Sequence, residues 1–134
     1  MGRISASAFA LALAFCGRAY AQTDAQVAER LTPTVHACEK SPENSGTFEQ
    51  ALCYKDEVAR QNDKLNETWT HVIERLSPNR RKALRISERR WIKERDNDCR
   101  AEATDYINST ASYMFNVCAA NATIRRTIWL ETFR

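Results

Sequence analysis

Glycine is scarce in this sequence, and its scarcity excludes several classes of enzyme. Only three glycines occur in 134 residues, and only Gly46 lies beyond residue 21. Phosphate-binding loops, dinucleotide-binding turns and nucleophile elbows need glycines at fixed offsets, so none of them can be built here. HExxH and CxxC motifs are also missing, and His36 and His71 lie far apart. His36 and Cys38 could begin a metal site, but Cys38 is better explained as a disulfide cysteine. We therefore predict no enzyme, no catalytic residue, no metal and no cofactor.

Long apolar runs are missing too, apart from one near the beginning. Residues 6–15 are apolar, follow a basic residue, and are too few to span a bilayer. The small-x-small pattern of residues 19–21 then matches a signal-peptidase site. We predict a signal peptide over residues 1–21 and no stable membrane insertion after its cleavage. A lipoprotein signal with Cys16 as the lipidated residue is the alternative, which the bulky Phe15 before it disfavours.

The segment that remains after the predicted cleavage, residues 22–134, is nearly neutral and contains four cysteines. The leader holds two arginines and no acid, so the formal charge falls from +3 for the whole chain to +1. Bulk charge therefore indicates no nucleic-acid partner. Four cysteines in this segment, an even number behind an export signal, predict two disulfides and a periplasmic or secreted location; they are Cys38, Cys53, Cys99 and Cys118. A domain this small gains about 2–4 kcal/mol from each disulfide.

Residues 24–50 predict a short helix and the beginning of a long one. Asp24–Leu31 has the spacing of a weak helix, which we expect Pro33 to stop. His36–Gly46 is polar and predicts a connection. Thr47 then predicts the N-cap of a second helix, with Gln50 completing a capping box.

Apolar spacing predicts three long helices. The second helix should reach Leu76 with a stripe formed by Val58, Asn62, Leu65, Trp69, Val72 and Leu76. Ser77-Pro78 predicts the N-cap and first residue of a third helix reaching Ala103. The linker is so short that these two helices should form an antiparallel hairpin. A fourth helix is predicted from Ser112 onward, with a stripe formed by Phe115, Cys118, Ala122, Arg126, Trp129 and Phe133. The predicted fold class is therefore an all-α bundle built on a long antiparallel hairpin. The four cysteines of residues 22–134 should lie near the open end of the hairpin, and three ways of pairing them remain possible.

The third helix divides into two faces at about 100° per residue. One face carries Leu84, Glu88, Trp91, Arg95 and Cys99. The opposite face carries Lys82, Arg85, Arg89, Lys93 and Arg100, with Asp96 among them. This basic stripe fits either a docking surface for an anionic partner or a solvated face that keeps the helix soluble. We favour the solvated face.

Charged residues on the apolar face need partners or a solvent edge. Glu88 and Arg95 predict either a buried polar network that fixes helix register, which we favour, or a polar binding pocket at the open end. For Arg95 we expect Glu88, Asn62 or backbone carbonyls as partners, and for Asp96 we expect Arg100. Trp91 should lie in the core. Arg126 has the same two interpretations as Arg95.

The third helix resembles the signature of the LprI-type lysozyme-inhibitor domain family. The resemblance rests on Leu84, Ser87-Glu88-Arg89, Trp91-Ile92, Arg95-Asp96 and Cys99, and extends from Cys38 to Leu130. It departs from the family pattern where Ser87-Glu88 replaces Ala-Gln and Trp69 replaces Tyr. It implies one helical domain over residues 22–134. Together with short loop closure it implies the pairs Cys38–Cys53 and Cys99–Cys118, with Cys53–Cys99 as the rival.

The resemblance also implies a function, which is an exported module that binds another protein. We expect it to inhibit a lysozyme-type muramidase by blocking the cleft, with an arginine against a carboxylate. The family motif offers Trp91, Arg95, Asp96 and Arg126 as candidate binding residues, and the basic stripe is another source of arginines. The alternative is a non-inhibitory periplasmic accessory protein that binds another envelope component. The sequence predicts no oligomeric state.

Overall fold

The computed structural model describes residues 23–133, which are helical and contain no strand. In chain order this part of the protein forms α1 (Asp24–Ala28), α2 (Pro33–Lys40), a 3-10 turn (Pro42–Asn44), α3 (Thr47–Glu74), α4 (Pro78–Glu102) and α5 (Asn108–Thr132). The predicted all-α class is confirmed. None of the helices in residues 23–133 is long and apolar enough to cross a membrane. The predicted signal peptide, including Cys16, lies outside the described residues.

The turn between α3 and α4 lies where the sequence predicted it. Ser77 takes the extended N-cap conformation and Pro78 is the first helical residue, a position where proline loses no hydrogen bond. Only residues 75–77 separate the two helices, and Arg95 on α4 reaches Asn62 on α3, so α4 runs back in the opposite direction to α3, although it packs mainly on α5. The predicted hairpin is confirmed.

α5 completes the bundle by packing along α3 and, less extensively, against α4. At one end Asn116 Nδ2 donates to the Ala51 carbonyl at 3.2 Å. At the other end Leu130 packs with Leu65 in the core. Both pairs are separated by the same number of residues, so α5 runs parallel to α3. α4, which lies between them in the chain, runs antiparallel to both. The core near the turn holds Leu65, Val72, Leu76, Leu84 and Leu130, and a second core at the open end holds Val35, Cys53, Tyr54 and Ala120.

The predicted stripe of the fourth helix is wrong. Its members that fall in the described helix are only half-buried, whereas the buried residues of α5 are Ala119, Ala120, Thr123, Ile124, Thr127 and Leu130. The cause is that α5 contacts α1, α3 and α4, so neighbours cover most of its circumference. The helix also begins at Asn108, earlier than the predicted Ser112.

The N-terminal expectations also need correction. Pro33 begins α2 and does not stop a helix, because Thr32 caps α2 by accepting from the Val35 amide at 3.3 Å. The region predicted as a polar connection therefore contains the second half of α2. The predicted capping box is wrong as well, since the N-cap of α3 is Gly46. The Gln50 amide instead donates to the carbonyls of Glu39 and Asn44.

The disulfide pairing implied by the family resemblance is confirmed. Cys38 pairs with Cys53 at a Cα–Cα distance of 5.8 Å, and Cys99 pairs with Cys118 at 5.4 Å. The rival pairing of Cys53 with Cys99 is wrong. Both bridges lie at the open end of the hairpin, where one ties α2 to α3 and the other ties α4 to α5.

Candidate functional site

The inner face of α4 carries the family motif. Leu84 and Cys99 are buried, the side chains of Glu88 and Arg95 between them are largely buried, and Trp91 is half-buried. This matches the face assigned from the sequence, because steps of four and three residues keep side chains on one side of a helix. Glu88 and Arg95 therefore point toward α3 and α5.

Arg126 and Glu88 form a buried ion pair between α5 and α4. The Arg126 Nε atom lies 2.9 Å and its second terminal nitrogen 2.8 Å from Glu88 Oε2. The two side chains are 10% and 13% exposed. The guanidinium also donates to Ser87 Oγ at 3.1 Å and lies 4.0 Å from the ring centre of Trp129. Arg126 is thus held by α4 and by its own helix at once.

Arg95 joins all three long helices. It donates to Asp96 Oδ1 at 2.9 Å on its own helix, to Asn62 Oδ1 at 3.2 Å on α3, and to Thr123 Oγ1 at 3.2 Å on α5. Its side chain is 12% exposed. The expected contact of Arg95 with Asn62 is confirmed. Its other expected partner, Glu88, binds Arg126 instead. Arg95 is a bridge inside the bundle and not a free donor.

The expected pair between Asp96 and Arg100 is wrong. Asp96 binds Arg95, and Arg100 instead donates to Asn97 Oδ1 at 3.2 Å. The arginine side chain at position 95 is long enough to reach a carboxylate that starts about 100° away around the helix.

Trp91 lies at the centre of this network. Its ring centre is 5.2 Å from the Arg95 guanidinium and 5.4 Å from that of Arg126. Trp91 packs against the core near the turn but is only half-buried, so the expectation of a core position holds in part. Its exposed edge lines a groove of about 350 Å³ between α3 and α4, together with Trp69 and Glu88.

The outer face of α4 contrasts with its inner face. We name the exposed residues Lys82, Arg85, Arg89, Arg90 and Lys93 the basic ridge. Within residues 23–133 none of these five side chains forms an ion pair with the protein. Asp96, the acid expected among them, is neutralised by Arg95. The ridge is therefore an array of cations that remain available to a partner.

A buried carboxylate on α3 was missed by the sequence interpretation. Glu57 is fully buried and accepts hydrogen bonds from the amide and hydroxyl of Thr32, from Arg60 Nε at 2.9 Å and from Gln61 Nε2 at 2.7 Å. Burial pushes its pKa up, but these hydrogen bonds outweigh burial and hold the pKa below its usual value. Glu57 therefore fastens the beginning of α2 to α3. Its signal was present in the steps of three and four from Tyr54 to Leu65.

Neither histidine contributes to a metal cluster in the described chain. Residues 23–133 contain no group of three or more His, Cys, Asp or Glu side chains placed to hold a metal ion. Cys38, the expected neighbour of His36 in such a site, is bonded to Cys53.

Comparison with known proteins identifies the family. The profile of the family described as Lysozyme inhibitor LprI matches residues 38–130, from the first bridged cysteine to the last core leucine of α5. Searches of curated proteins and of solved structures found no match. The profile spans both disulfides, the Glu88–Arg126 pair and the Arg95 bridge, and covers well over half of the sequence. The chain therefore belongs to the LprI lysozyme-inhibitor family.

Proposed function

We propose that this protein is an exported inhibitor of lysozyme-type muramidases. The observation that carries the proposal is the match of the LprI family over residues 38–130. The two disulfides support export, because such bonds persist in oxidising compartments such as the periplasm and the extracellular space. Residues 1–21 would then be the signal peptide, and residues 22–134 would be the single folded domain.

The proposed mechanism is steric exclusion of substrate. A muramidase works through two carboxylates that flank the scissile bond in an open cleft. A protein that fills this cleft prevents the polysaccharide from entering and needs no chemistry of its own. A rigid bundle suits this role because little conformational entropy is lost on binding.

The motif residues support binding indirectly under this proposal. The donors of Arg95 and Arg126 are used inside the bundle, and both side chains are about nine-tenths buried. We therefore assign Trp91, Arg95, Asp96 and Arg126 the role of holding α4 in a fixed position. This positioning role corresponds to the polar network favoured from the sequence for Arg95, and not to the alternative in which Arg95 or Arg126 touches a partner's carboxylate.

The test is an inhibition assay with purified residues 22–134. The rate at which several muramidases clear a suspension of bacterial cell walls should fall as the protein is added, and inhibition should saturate at one inhibitor per enzyme. The same protein after reduction and alkylation is the control and should inhibit poorly. No inhibition of any muramidase at micromolar concentration would contradict the proposal.

A second candidate function is that of a non-inhibitory accessory protein that binds another envelope component. The observation that favours it is the exposure of large apolar side chains near the disulfide end of the bundle. Phe48 is 60% exposed, Leu52 44%, Tyr106 42% and Ile107 77%. Site-specific photocrosslinking from position 107 in the periplasm, in a protein that fails the inhibition assay, would favour this function if one envelope protein is trapped.

A further inference from the structure

Charge is distributed unevenly between α4 and the rest of the molecule. α4 holds nine basic and five acidic residues, a net charge of +4. The remainder of residues 22–134 holds nine basic and twelve acidic residues, a net charge of −3. The first ten residues of α4, 78–87, contain no acid at all. The near-neutral total therefore conceals one strongly positive helix.

The positive charge of α4 is concentrated on the basic ridge. The cations of its inner face are consumed by internal contacts, as Arg95 shows with Asp96, Asn62 and Thr123. The ridge cations point the other way, and Ile86 lies among them with 51% of its surface exposed. An apolar side chain surrounded by cations fits a protein surface better than a purely anionic polymer, because protein interfaces combine a more apolar centre with a polar rim.

The ridge also has the shape and spacing of an insert for a cleft. Only the inner face of α4 packs on the bundle, so its outer face is convex, with the width of one helix, about 10–12 Å. Arg85 and Arg89 lie one turn apart, which places their side-chain origins about 6 Å from each other. The two carboxylates of a glycosidase are about 5–9.5 Å apart, depending on its mechanism. Each guanidinium can bind one carboxylate through two parallel hydrogen bonds.

We infer that the basic ridge is the surface that enters the muramidase cleft, with Arg85 and Arg89 facing its two carboxylates. This inference rests on the proposed function and adds the docking surface to it. Trp91, Arg95 and Arg126 hold α4 from behind. The ridge is thus presented without rearrangement of the bundle.

The experiment compares two variants that carry the same change of charge. Arg85→Glu/Arg89→Glu reverses the centre of the ridge, and Lys55→Glu/Lys64→Glu reverses two exposed residues of α3 as the matched control. All four side chains are exposed, and circular dichroism melts verify that both variants fold. We expect the inhibition constant to rise about 100-fold or more for the ridge variant and less than about threefold for the control. Arg85→Lys/Arg89→Lys keeps the charge but loses the bidentate geometry, so it should fall between parent and reversal.

The outcomes separate the docking surface from the function. If the parent inhibits and the ridge variant inhibits equally well, the docking surface is wrong and the proposed function stands. Equal losses in the ridge variant and the control would also overturn the inference, since they would show a general effect of charge. A ridge variant that still inhibits but no longer binds an anionic cell-wall polysaccharide would assign the ridge to that polymer instead. A parent that inhibits no muramidase overturns the proposed function, and the inference with it.

Discussion

Replacement of Arg126 by methionine removes one half of the ion pair that joins α5 to α4. Glu88 would keep a carboxylate whose side chain is 13% exposed, and it would lose its only ion-pair partner within residues 23–133. The methionine can still pack against Trp91 and Trp129, so little apolar contact is lost. The expected cost is therefore almost entirely that of an uncompensated buried charge.

Such a charge typically costs about 3–5 kcal/mol of unfolding free energy. The groove of about 350 Å³ between α3 and α4 is lined by Glu88 and has room for water, which places the expected cost at the lower end, about 3 kcal/mol. For a domain of this size that corresponds to a melting temperature lower by roughly 12 °C. The double variant Arg126→Met/Glu88→Leu removes both charges and should return to within about 1 kcal/mol of the parent.

The assay is urea and thermal unfolding of the parent, Arg126→Met, Glu88→Leu and the double variant, followed by circular dichroism. The four values form a double-mutant cycle that isolates the coupling between the two side chains. The reasoning is refuted if Arg126→Met unfolds within about 0.5 kcal/mol of the parent, a loss far below that expected for a stranded charge. It is also refuted if the double variant is no more stable than either single variant.

Three further perturbations test other parts of the structure. The pKa of Glu57 is lower in the folded protein than in the unfolded chain, so its stabilisation is complete above about pH 5 and is lost as the pH falls through the folded value; the urea midpoint should fall on acidification from pH 6 to pH 3, and fall less in Glu57→Gln. Replacing Cys99 and Cys118 by alanine opens a loop with a sequence separation of 19 and should cost about 3 kcal/mol in urea unfolding, whereas an unchanged midpoint would show that the bridge does not stabilise the fold. Trp91→Ala should cost about 3 kcal/mol because the ring is half-buried, Trp91→Phe should cost less, and a variant that melts like the parent would disprove the packing role.

The sequence predicted α4 well because this helix packs on one face only. A helix with one buried side must carry its apolar residues at helical spacing, and Leu84, Trp91 and Cys99 do so. Its beginning was equally clear, since Ser77-Pro78 combines a capping residue with a proline at the first helical position.

α5 could not be predicted to the same depth. Neighbouring helices surround it, so its burial is decided by three separate contacts and not by one stripe. Its buried residues include Ala119, Ala120 and Thr123, small residues that allow close approach to α3 but contribute little to a hydrophobic pattern. The prediction at Pro33 was wrong for a different reason. Thr32-Pro33 carries the same helix-start signal as Ser77-Pro78, but Pro33 was interpreted as the end of a helix.

The sequence predicted which residues form the candidate site, but not which of them bind each other. Spacing placed Glu88 and Arg95 on the inner face, and both are there. Which acid binds which base depends on the rotation of α5 relative to α4, and helical spacing within one element contains no information on that rotation. Glu57 was missed because a carboxylate was not expected among apolar neighbours, although its position one helical turn from Gln61 was visible.

The arrangement of the two disulfides affects how the chain reaches its fold. The bridges join residues 15 and 19 positions apart, and the two loops follow one another without overlap. Neither bridge crosses between α3 and α5, the parallel pair whose contacts connect residues far apart in the chain. Because closing a short loop loses less entropy than closing a long one, we expect the cysteines to find their partners in either order while the chain is only locally structured. Both disulfides can then form before α5 docks along α3. That docking joins two pairs of helices, α2 with α3 and α4 with α5, each of which is already held by its own disulfide.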